Sequence, residues 1–442
     1  MKRWLVAVLV LLALIVLISP GIVGRLAERN MEAGIDWAES ESPGVNITTE
    51  SFERGWFTSE GRHRVVFEGG QFRDAAAKYA EATGNPEFIS LVIETRLDHG
   101  LVPVSSLSRD AGSLSPGLAS TVSTFEIDPG NGELVPLPGT LYSKVSLTGA
   151  SNSRFLLETG FYAIDDVNFN WEGADMSIFA DPANGDMAVH GTISPWTVSG
   201  ADGRAEIGAI SIDADQRRTD YGFNVGPVSF SVDTISVEEQ SNRLTIGGIS
   251  VNADSGIENG RLHTSGSLEV KDITVPGFGE VAVAMDMSMN RFDAASFGAV
   301  VAAFQEAQGA ADPELALQMI YPTIADDLQA LAAAGAEFKF NTLNVTLPQG
   351  TIAMSLAVEV AEADPDEAFS WPGVLLAMTA SLDLRIPAKV FDFVTAMNPQ
   401  AGSLLAMGLL EREGDDYVMA AEYAQGLVNV NGAPMPIPIP GM

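Results

Sequence analysis

The pair Asp98-His99, followed by Gly100, is the part of this sequence that comes closest to catalytic chemistry. A histidine beside a carboxylate can act as a general base, and a serine within reach would complete a hydrolase triad. A triad is a spatial arrangement, however, and the sequence has no Gly-x-Ser-x-Gly elbow to present a nucleophile. The residues therefore favour the alternative, in which His99 has a structural hydrogen-bonding role at a turn.

The remaining histidines are His63, His190 and His263, and none has the spacing of a zinc site. The chain has no cysteine, which excludes disulfides, thiolate metal ligands and a cysteine nucleophile. It also has no phosphate-binding loop or dinucleotide-binding motif. The sequence thus predicts a non-enzymatic protein with no catalytic residue, no metal and no cofactor.

The charge of the chain is strongly negative, with 24 basic and 58 acidic residues, so that 24 − 58 = −34. This balance excludes nucleic acid as a partner, because phosphates need Lys and Arg to neutralise them. It also disfavours docking of the body on an anionic lipid surface. A solvated acidic coat is the favoured explanation, and an acidic site for cations or a basic partner is the alternative.

The N-terminus indicates where the protein lies. Lys2 and Arg3 precede an uncharged run from Trp4 to Gly24, close to the ~20 residues that cross a bilayer. The alternative is a cleaved signal peptide, but the run lacks a small-residue cleavage site. We predict an uncleaved anchor over 1–24, and the positive-inside rule places the rest of the chain across the membrane from the cytoplasm.

The body is predicted to be β-dominated, in an α+β fold with long bent antiparallel sheets. Strands with alternating apolar and polar residues fill most of 25–139 and nearly all of 140–290. The region 291–442 mixes strands with helices: Ala-rich segments between Phe292 and Ala336 have a period near 3.6, and another helix is predicted over Ala388–Met397. The apolar stripes of the Ala-rich helices belong either to a core or to a lid that caps the sheet.

A short sequence is written twice: IGAISIDAD from Ile207 and IGGISVNAD from Ile246. The same spacing, an apolar residue followed three positions later by another, recurs from Val232 and from Val270, with a weaker copy from Phe340. The distances between copies, 246 − 207 = 39 and 270 − 232 = 38, indicate a tandem unit of strands. Residues three apart point to opposite faces of a regular strand, so we predict a β-bulge at each intervening pair.

With such bulges, each copy has one apolar face and one polar face. The polar residues, such as Ser211, Asp213 and Asp215, alternate along a strand and do not converge as calcium requires, so a solvated face is expected. The apolar residues form either ordinary core or the lining of an open groove, which periodicity alone does not separate. This candidate apolar face consists of Ile210, Ile212, Ile235, Val237, Ile249, Val251, Ile273 and Val275.

Three stretches resemble the YdgA-like family of bacterial envelope proteins: SFERGWFTSEGR from Ser51, DHGLVP from Asp98 and GLVNVNGAPMP from Gly426. In the second stretch Leu101 stands where that family has proline. The resemblance implies a single-span inner-membrane protein with its body in the periplasm, and it implies no known activity. The strand repeats and the anchor are also similar to AsmA-like envelope proteins at the level of fold. The matching motif residues are Arg54, Gly55, Trp56, Ser59, Asp98, His99, Gly100, Asn431 and Gly432.

Three hypotheses follow for the function. The first is a non-enzymatic envelope protein that holds or guides an apolar ligand, a lipid, on a curved sheet under helices. The second is a scaffold that binds other envelope proteins through exposed strand edges. The third is a hydrolase that uses Asp98 and His99. The expected partners are the membrane, through the N-terminal helix, with a lipid or envelope proteins, and no nucleic acid.

Overall fold

The structure is a computed structural model of the whole chain. The predicted anchor over 1–24 lies outside the residues that it describes, as do Gly100 and nearly all of the segment 25–44. Within the described residues, no helix is both long enough and apolar enough to cross a membrane. The described residues are 32, 35, 45–67, 90–99, 118–128, 134–164, 167–201, 203–239, 242–275, 278–309, 313–362 and 371–436.

Strands dominate these residues, as predicted. All of the strand pairs described below are antiparallel. The strands are β1 (Val45–Arg54), β2 (Thr58–Phe67), β3 (Ser90–His99), β4 (Ala119–Asp128), β5 (Val135–Val145), β6 (Ser151–Leu157), β7 (Gly160–Ile164), β8 (Val167–Trp171), β9 (Ala174–Asp181), β10 (Asp186–Ile193), β11 (Trp196–Ser199), β12 (Gly203–Ile207), β13 (Ile210–Arg218), β14 (Asn224–Val225), β15 (Val228–Glu239), β16 (Asn242–Glu258), β17 (Arg261–Val275), β18 (Gly279–Asp293), β19 (Glu337–Leu347), β20 (Gly350–Val360), β21 (Met378–Pro387), β22 (Glu411–Glu413), β23 (Asp416–Ala424), β24 (Leu427–Val430) and β25 (Ala433–Pro436).

Helices are few, and they occur where the sequence pattern changes. The Ala-rich segments form two helices, as predicted, and Asp293 caps the first by accepting a hydrogen bond from the Ser296 amide at 2.9 Å. The helix predicted over Ala388–Met397 is also confirmed. A short helix at Trp371 was not predicted, because its apolar run has no helical period to read. The helices are α1 (Ala294–Gly309), α2 (Pro313–Ala333), α3 (Trp371–Ala377), α4 (Ala388–Met397) and α5 (Ser403–Ala406), with a 3-10 turn over Pro399–Gly402.

The chain divides into two compact units. Unit 1 contains the described residues within Met1–Gly160, Glu172–Ile193 and Phe304–Gln318. Unit 2 contains those within Phe161–Trp171, Ser194–Ala303 and Met319–Met442.

The sheet of unit 1 is a meander in which β1 to β6 pair in sequence order, followed by β9 and β10. On one face Leu97 and Ala119 are buried against Phe52. The other face carries charges that pair across strands. Arg64 contacts Glu50 at 2.5 Å and Asp128 at 2.6 Å. This alternation of apolar and charged faces is typical of an antiparallel sheet with one solvated side.

Unit 2 contains a longer sheet. Its strands follow the order β8, β11, β12, β15, β16, β17, β18, β19, β20, β21, β23, β24 and β25, and β13 continues β12 along the edge of β15. Almost every neighbour in space is therefore a neighbour in sequence, which is why the repeats along the chain become repeats across the sheet.

The repeated motifs lie side by side on four consecutive strand segments, and the predicted bulges need correction. Ile207 and Ile210 face Ile235 and Val232, so both strands advance by three residues between the paired positions. The same is true between β15 and β16 and between β16 and β17. A bulge requires an unequal count, and it is absent from these three pairings because each partner carries the same irregular pair.

The ladder is nevertheless interrupted at this line. Gly208 N donates to Thr234 O at 2.7 Å, and Asp233 N donates to Ala209 O at 2.9 Å. In a regular antiparallel ladder only alternate residue pairs are hydrogen-bonded, whereas here two successive pairs each hold one bond. The alternation of faces therefore slips on both strands together, and the apolar residues on either side of the slip share a face. Gly248 in β16 has a φ of +59° at the same level.

True bulges occur where a strand with the irregular pair meets one without it. Val270 and Ile273 of β17 face Val283 and Val281 of β18, three residues against two. Phe340 and Leu343 of β19 likewise face Leu356 and Met354 of β20. The prediction of bulges is thus confirmed at these two strand pairs and wrong at the other three.

Close packing at the shared slip leads to a stability prediction. A Cβ at Gly208 would lie 2.9 Å from the Thr234 backbone nitrogen, whereas a Cβ at Gly266 meets neighbours only at 3.6 Å or more. We expect Gly208→Ala to lower the free energy of unfolding by about 1–3 kcal/mol through overpacking. The control Gly266→Ala should be neutral or stabilising by up to about 1 kcal/mol. Urea unfolding measures both, and equal effects would contradict the tight approach at Gly208.

Candidate functional site

The sheet of unit 2 aligns apolar side chains into rows that run across its strands. Residues that face each other in neighbouring antiparallel strands place their side chains on the same side, so each row is a continuous strip of one face. Row 1 crosses seven strands and consists of Ile210, Val232, Ile249, Val270, Val283, Val345 and Ile352. Row 2 crosses nine strands and consists of Ile212, Phe230, Val251, Leu268, Met285, Leu343, Met354, Leu384 and Met419.

Two further rows lie on the other side of the slip. Because the slip restores residues three apart to one face, these rows extend the same surface, and we call the four rows together the apolar face. Row 3 consists of Trp171, Trp196, Ile207, Ile235, Ile246, Ile273 and Val281. Row 4 consists of Phe169, Val198, Ala205, Val237 and Leu244.

The structure brings together the apolar residues that the sequence singled out. The residues before Val275 in that set all belong to rows 1 to 4, and Val275 itself pairs with Gly279 at the end of β17. The sequence did not reveal Trp171 and Trp196 as parts of the same surface, nor the methionines of row 2. Each of those strands shows its own alternation, but only the pairing of strands shows that the alternations are in phase.

Much of the apolar face is not covered by a second layer. Five large side chains on it are each 37–47% exposed, which is far more than residues of a packed core retain. Isolated apolar residues at a surface are ordinary, but a contiguous strip is characteristic of a binding surface. The observation favours an open groove over ordinary core at this part of the sheet. These side chains are Trp196, Ile207, Val237, Leu244 and Val251.

Helices contact the two ends of the strands rather than their middle. At one end, α1 packs Phe297 against Phe223, with ring centroids 5.2 Å apart, within a cluster that includes Leu262. At the other end, α4 places Phe391 against Tyr417 of β23 at 4.7 Å and Phe393 against Phe278 at 5.5 Å. The first part of α1 is therefore core, while the sheet between the two ends is left to solvent at the residues given above.

The opposite face is polar and solvated, as expected. Ser211, Asp213 and Asp254 are exposed. Ser229 Oγ donates to Asn252 Oδ1 at 2.8 Å, and Asn252 Nδ2 reaches Ser267 Oγ at 3.4 Å, which forms a short chain of hydrogen bonds across three strands. One side of the sheet thus satisfies its side chains with water and neighbours, while the other offers only apolar contact.

The motif residues Ser59 and His99 meet in unit 1. Ser59 Oγ lies 3.0 Å from His99 Nε2, and both side chains are buried. The His99 amide donates to Phe57 O at 2.9 Å, so the same histidine also fixes the turn between β1 and β2. The distance fits a nucleophile and its base, but consecutive strand residues point to opposite faces, so Asp98 does not share the face of His99. The arrangement fits a structural role at the ends of β2 and β3.

The same turn presents the other residues of the first motif. The Gly55 amide donates to Thr58 O at 2.8 Å, and a Cβ at Gly55 would lie 2.6 Å from that oxygen. Trp56 and Phe57 are exposed at the tip, and Arg54 faces Ser59 where the strands begin to pair. The motif therefore specifies a tight turn anchored from below by Ser59 and His99.

The C-terminal motif is also a turn. Asn431 and Gly432 have φ of +51° and +79° between the paired residues Val430 and Ala433, the conformation expected of a two-residue type I′ hairpin. The Asn431 side chain accepts from the Ala420 amide at 2.9 Å and donates to Leu409 O at 3.3 Å. It thus ties the hairpin to the segment that precedes β22.

Two buried or paired groups in unit 1 have shifted pKa values. Burial lowers the pKa of the His63 imidazole, whose Nδ1 is 3.0 Å from Thr49 Oγ1 and whose Nε2 has no hydrogen-bond partner among the described residues. The hydrogen bond from Arg64 is the largest cause of a lowered pKa at the Glu50 carboxyl, which its partial burial opposes. Both groups stabilise the sheet and neither lies on the apolar face.

A structural role for Ser59 predicts a stability effect. Ser59→Ala should lower the free energy of unfolding by about 1–3 kcal/mol, because it leaves a buried imidazole nitrogen without its hydroxyl partner. The control Ser211→Ala, at an exposed position, should change it by less than about 0.5 kcal/mol. Chemical denaturation measures both. An unchanged stability of Ser59→Ala would remove the structural explanation for the pair.

His63 predicts a pH effect of defined sign. Its pKa is lowered in the folded state, so the unfolded chain takes up the proton more readily and acid destabilises the fold. The loss begins as the pH falls below the ordinary value of 6.5 and continues down to the lowered pKa. His63→Gln should reduce the decline in unfolding free energy between about pH 8 and pH 5. Thr49→Val keeps the buried imidazole and should retain the decline, which makes it the control.

Comparison with known proteins identifies the family of the chain but adds no activity. Neither a search of curated proteins nor a search of solved structures finds a match. One family model matches residues 1–438, nearly the whole chain. The chain therefore belongs to the family described as "Bacterial protein of unknown function (DUF945)".

Proposed function

We propose that this bacterial protein is a non-enzymatic envelope protein that holds a lipid by its acyl chains on the apolar face of unit 2. The observation that carries the proposal is the set of unbroken apolar rows whose large side chains remain 37–47% exposed. Exposed apolar area of this kind is unfavourable in water, so a ligand that covers it is stabilised by its burial.

The chemistry of the face favours acyl chains over other ligands. Rows 1 to 4 contain no charged or hydrogen-bonding side chain other than the indole groups of their two tryptophans. The backbone N–H and C=O groups of the central strands are used in the ladder, so they offer no polar recognition. Row 2 contributes three methionines, whose flexible thioethers adapt to ligands of variable shape. A ligand with many polar groups would leave them unsatisfied here.

The dimensions of the face also suit a lipid tail. Neighbouring strands stand about 4.8 Å apart, so the eight intervals of row 2 span roughly 38 Å. The hydrocarbon core of a bilayer is about 30 Å thick, and each of its leaflets is half of that. A lipid tail laid along a row therefore has contact over its whole length, with room for more than one.

The location is part of the proposal. The run over 1–24 supports a single-pass anchor in the inner membrane, and the charge pattern of Lys2 and Arg3 places the body in the periplasm. The YdgA-like resemblance supports the same location. An acidic body at −34 would not adhere to anionic lipid headgroups, which is consistent with a ligand held by its tails.

The alternative of a scaffold that binds envelope proteins through strand edges is less well supported. At the edge strand β25, Pro434 and Pro436 remove backbone donors that strand addition would need. The exposed Trp56 and Phe57 at the turn between β1 and β2 remain the feature most suited to a protein partner.

The proposal predicts that lipid binding depends on which face of one strand carries a charge. Val251→Glu places a carboxylate in row 2 and should reduce the lipid bound per protein at least about tenfold, because a charge among tails is costly. Ser250→Glu puts the same group on the polar face of the adjacent residue and should retain the lipid. The measurement is mass spectrometry of lipids that copurify with the full-length protein, with thermal unfolding as the check on folding. Wild-type protein without lipid, or equal lipid in both variants, would contradict the proposal.

A further inference from the structure

The segment Phe393–Leu410 forms an exposed apolar tip beside the apolar face. We name it the apolar tip, and it comprises the end of α4, the 3-10 turn and α5. Its 18 residues contain no charge, although the chain as a whole has 82 charged residues, 24 + 58, in 442. Five of its apolar side chains are 36–73% exposed. They are Val394, Met397, Leu404, Leu405 and Met407.

The backbone of the apolar tip forms many of its hydrogen bonds internally, which is the condition for entering an apolar medium. Asn398 serves twice, because its amide donates to Val394 O at 2.8 Å and its side chain accepts from the Gln400 amide at 3.2 Å. Further amides donate within the tip, from Met407 to Ser403 O at 2.9 Å and from Leu409 to Leu404 O at 3.0 Å.

The tip is also held in place from outside. Asn431 Nδ2, in the C-terminal motif, donates to Leu409 O at 3.3 Å. At its other end the tip continues from α4, where Phe391 packs on Tyr417 and Phe393 packs on Phe278. These aromatic contacts lie at one end of the strands that carry rows 1 and 2. The tip is therefore fixed to the end of the apolar face and is continuous with it.

From this placement we propose that the apolar tip inserts into the surface of a lipid bilayer and sets the end of the apolar face at which a lipid enters or leaves. The inference rests on the proposed function and adds a second membrane contact to the predicted anchor. Met, Leu and Val side chains on short helical turns suit the boundary between headgroups and acyl chains, where uncharged residues insert at low cost. The absence of charge over the tip removes the repulsion that the acidic body would otherwise bring to that surface.

The chain has no cysteine, so a single introduced cysteine carries a probe without background labelling. Met407→Cys labels the tip with an environment-sensitive fluorophore. Leu427→Cys is the matched control, because Leu427 is 57% exposed against 58% for Met407 and lies at the opposite end of the β23–β24 hairpin from Tyr417. The full-length protein is reconstituted in phosphatidylcholine vesicles with and without lipids that carry a spin-label quencher on the acyl chain.

The label at position 407 should shift to the blue and lose at least about half of its emission to the quenching lipid, whereas the label at 427 should do neither. Met397→Glu, at a side chain that is 73% exposed, should abolish the quenching at 407 without unfolding the protein. Equal quenching at both positions, or none at 407, would overturn the proposal. A blue shift at 407 that requires envelope protein extract and shows no quenching would assign the tip to a protein partner and overturn it as well.

The experiment separates the two proposals. Quenching is read from the label and does not depend on copurified lipid, and Val251→Glu should leave it unchanged. Lipid on the wild-type protein without quenching at 407 would refute the tip and leave the lipid-holding function standing. Quenching at 407 with no lipid on the protein would refute the function and retain the tip as a membrane contact.

Discussion

The structure of unit 2 depends on one constraint, the register that antiparallel hydrogen bonding imposes between neighbouring strands. A shift of one residue would move every apolar side chain of a strand to the solvated face. Register alone keeps Ile210, Val232 and Ile249 in one row, and it does so through a line where every strand is irregular. The line is tolerated because neighbouring strands slip together, so that neither loses its pairing. Repetition of the motif along the chain is thus the sequence signature of a defect shared across the sheet.

The strands and the apolar face were predictable from the sequence because alternation is local information. The residues of the face, from Ile210 to Ile273, were found from their spacing alone. The rows were not, because Trp196 and Ile207 become neighbours only through pairing. The predicted bulges failed for the same reason: a single copy of the motif implies an extra residue, and only the partner strand decides whether that residue is extra.

The residues that carry the family resemblance turn out to fix geometry. Ser59 and His99 brace a turn, and Asn431 braces a hairpin and the carbonyl of Leu409. Their types suggested chemistry because hydroxyl, imidazole and amide groups are also the groups of active sites. In the interior of a β-rich protein the same groups satisfy turn backbone that no ladder reaches. From the sequence, His99 was expected at a turn, but its partner Ser59, 40 residues away, was beyond any local pattern.

The distribution of charge gives these separate features a common direction. A protein with 58 acidic residues could place them anywhere that water reaches, yet rows 1 to 4 and the segment Phe393–Leu410 contain none. Solubility alone would favour acidic residues at exposed positions such as Val237 and Met407. Their absence from one contiguous part of an exposed surface therefore needs a second cause. Contact with hydrocarbon supplies it, because a single carboxylate there costs more than the exposed apolar area does.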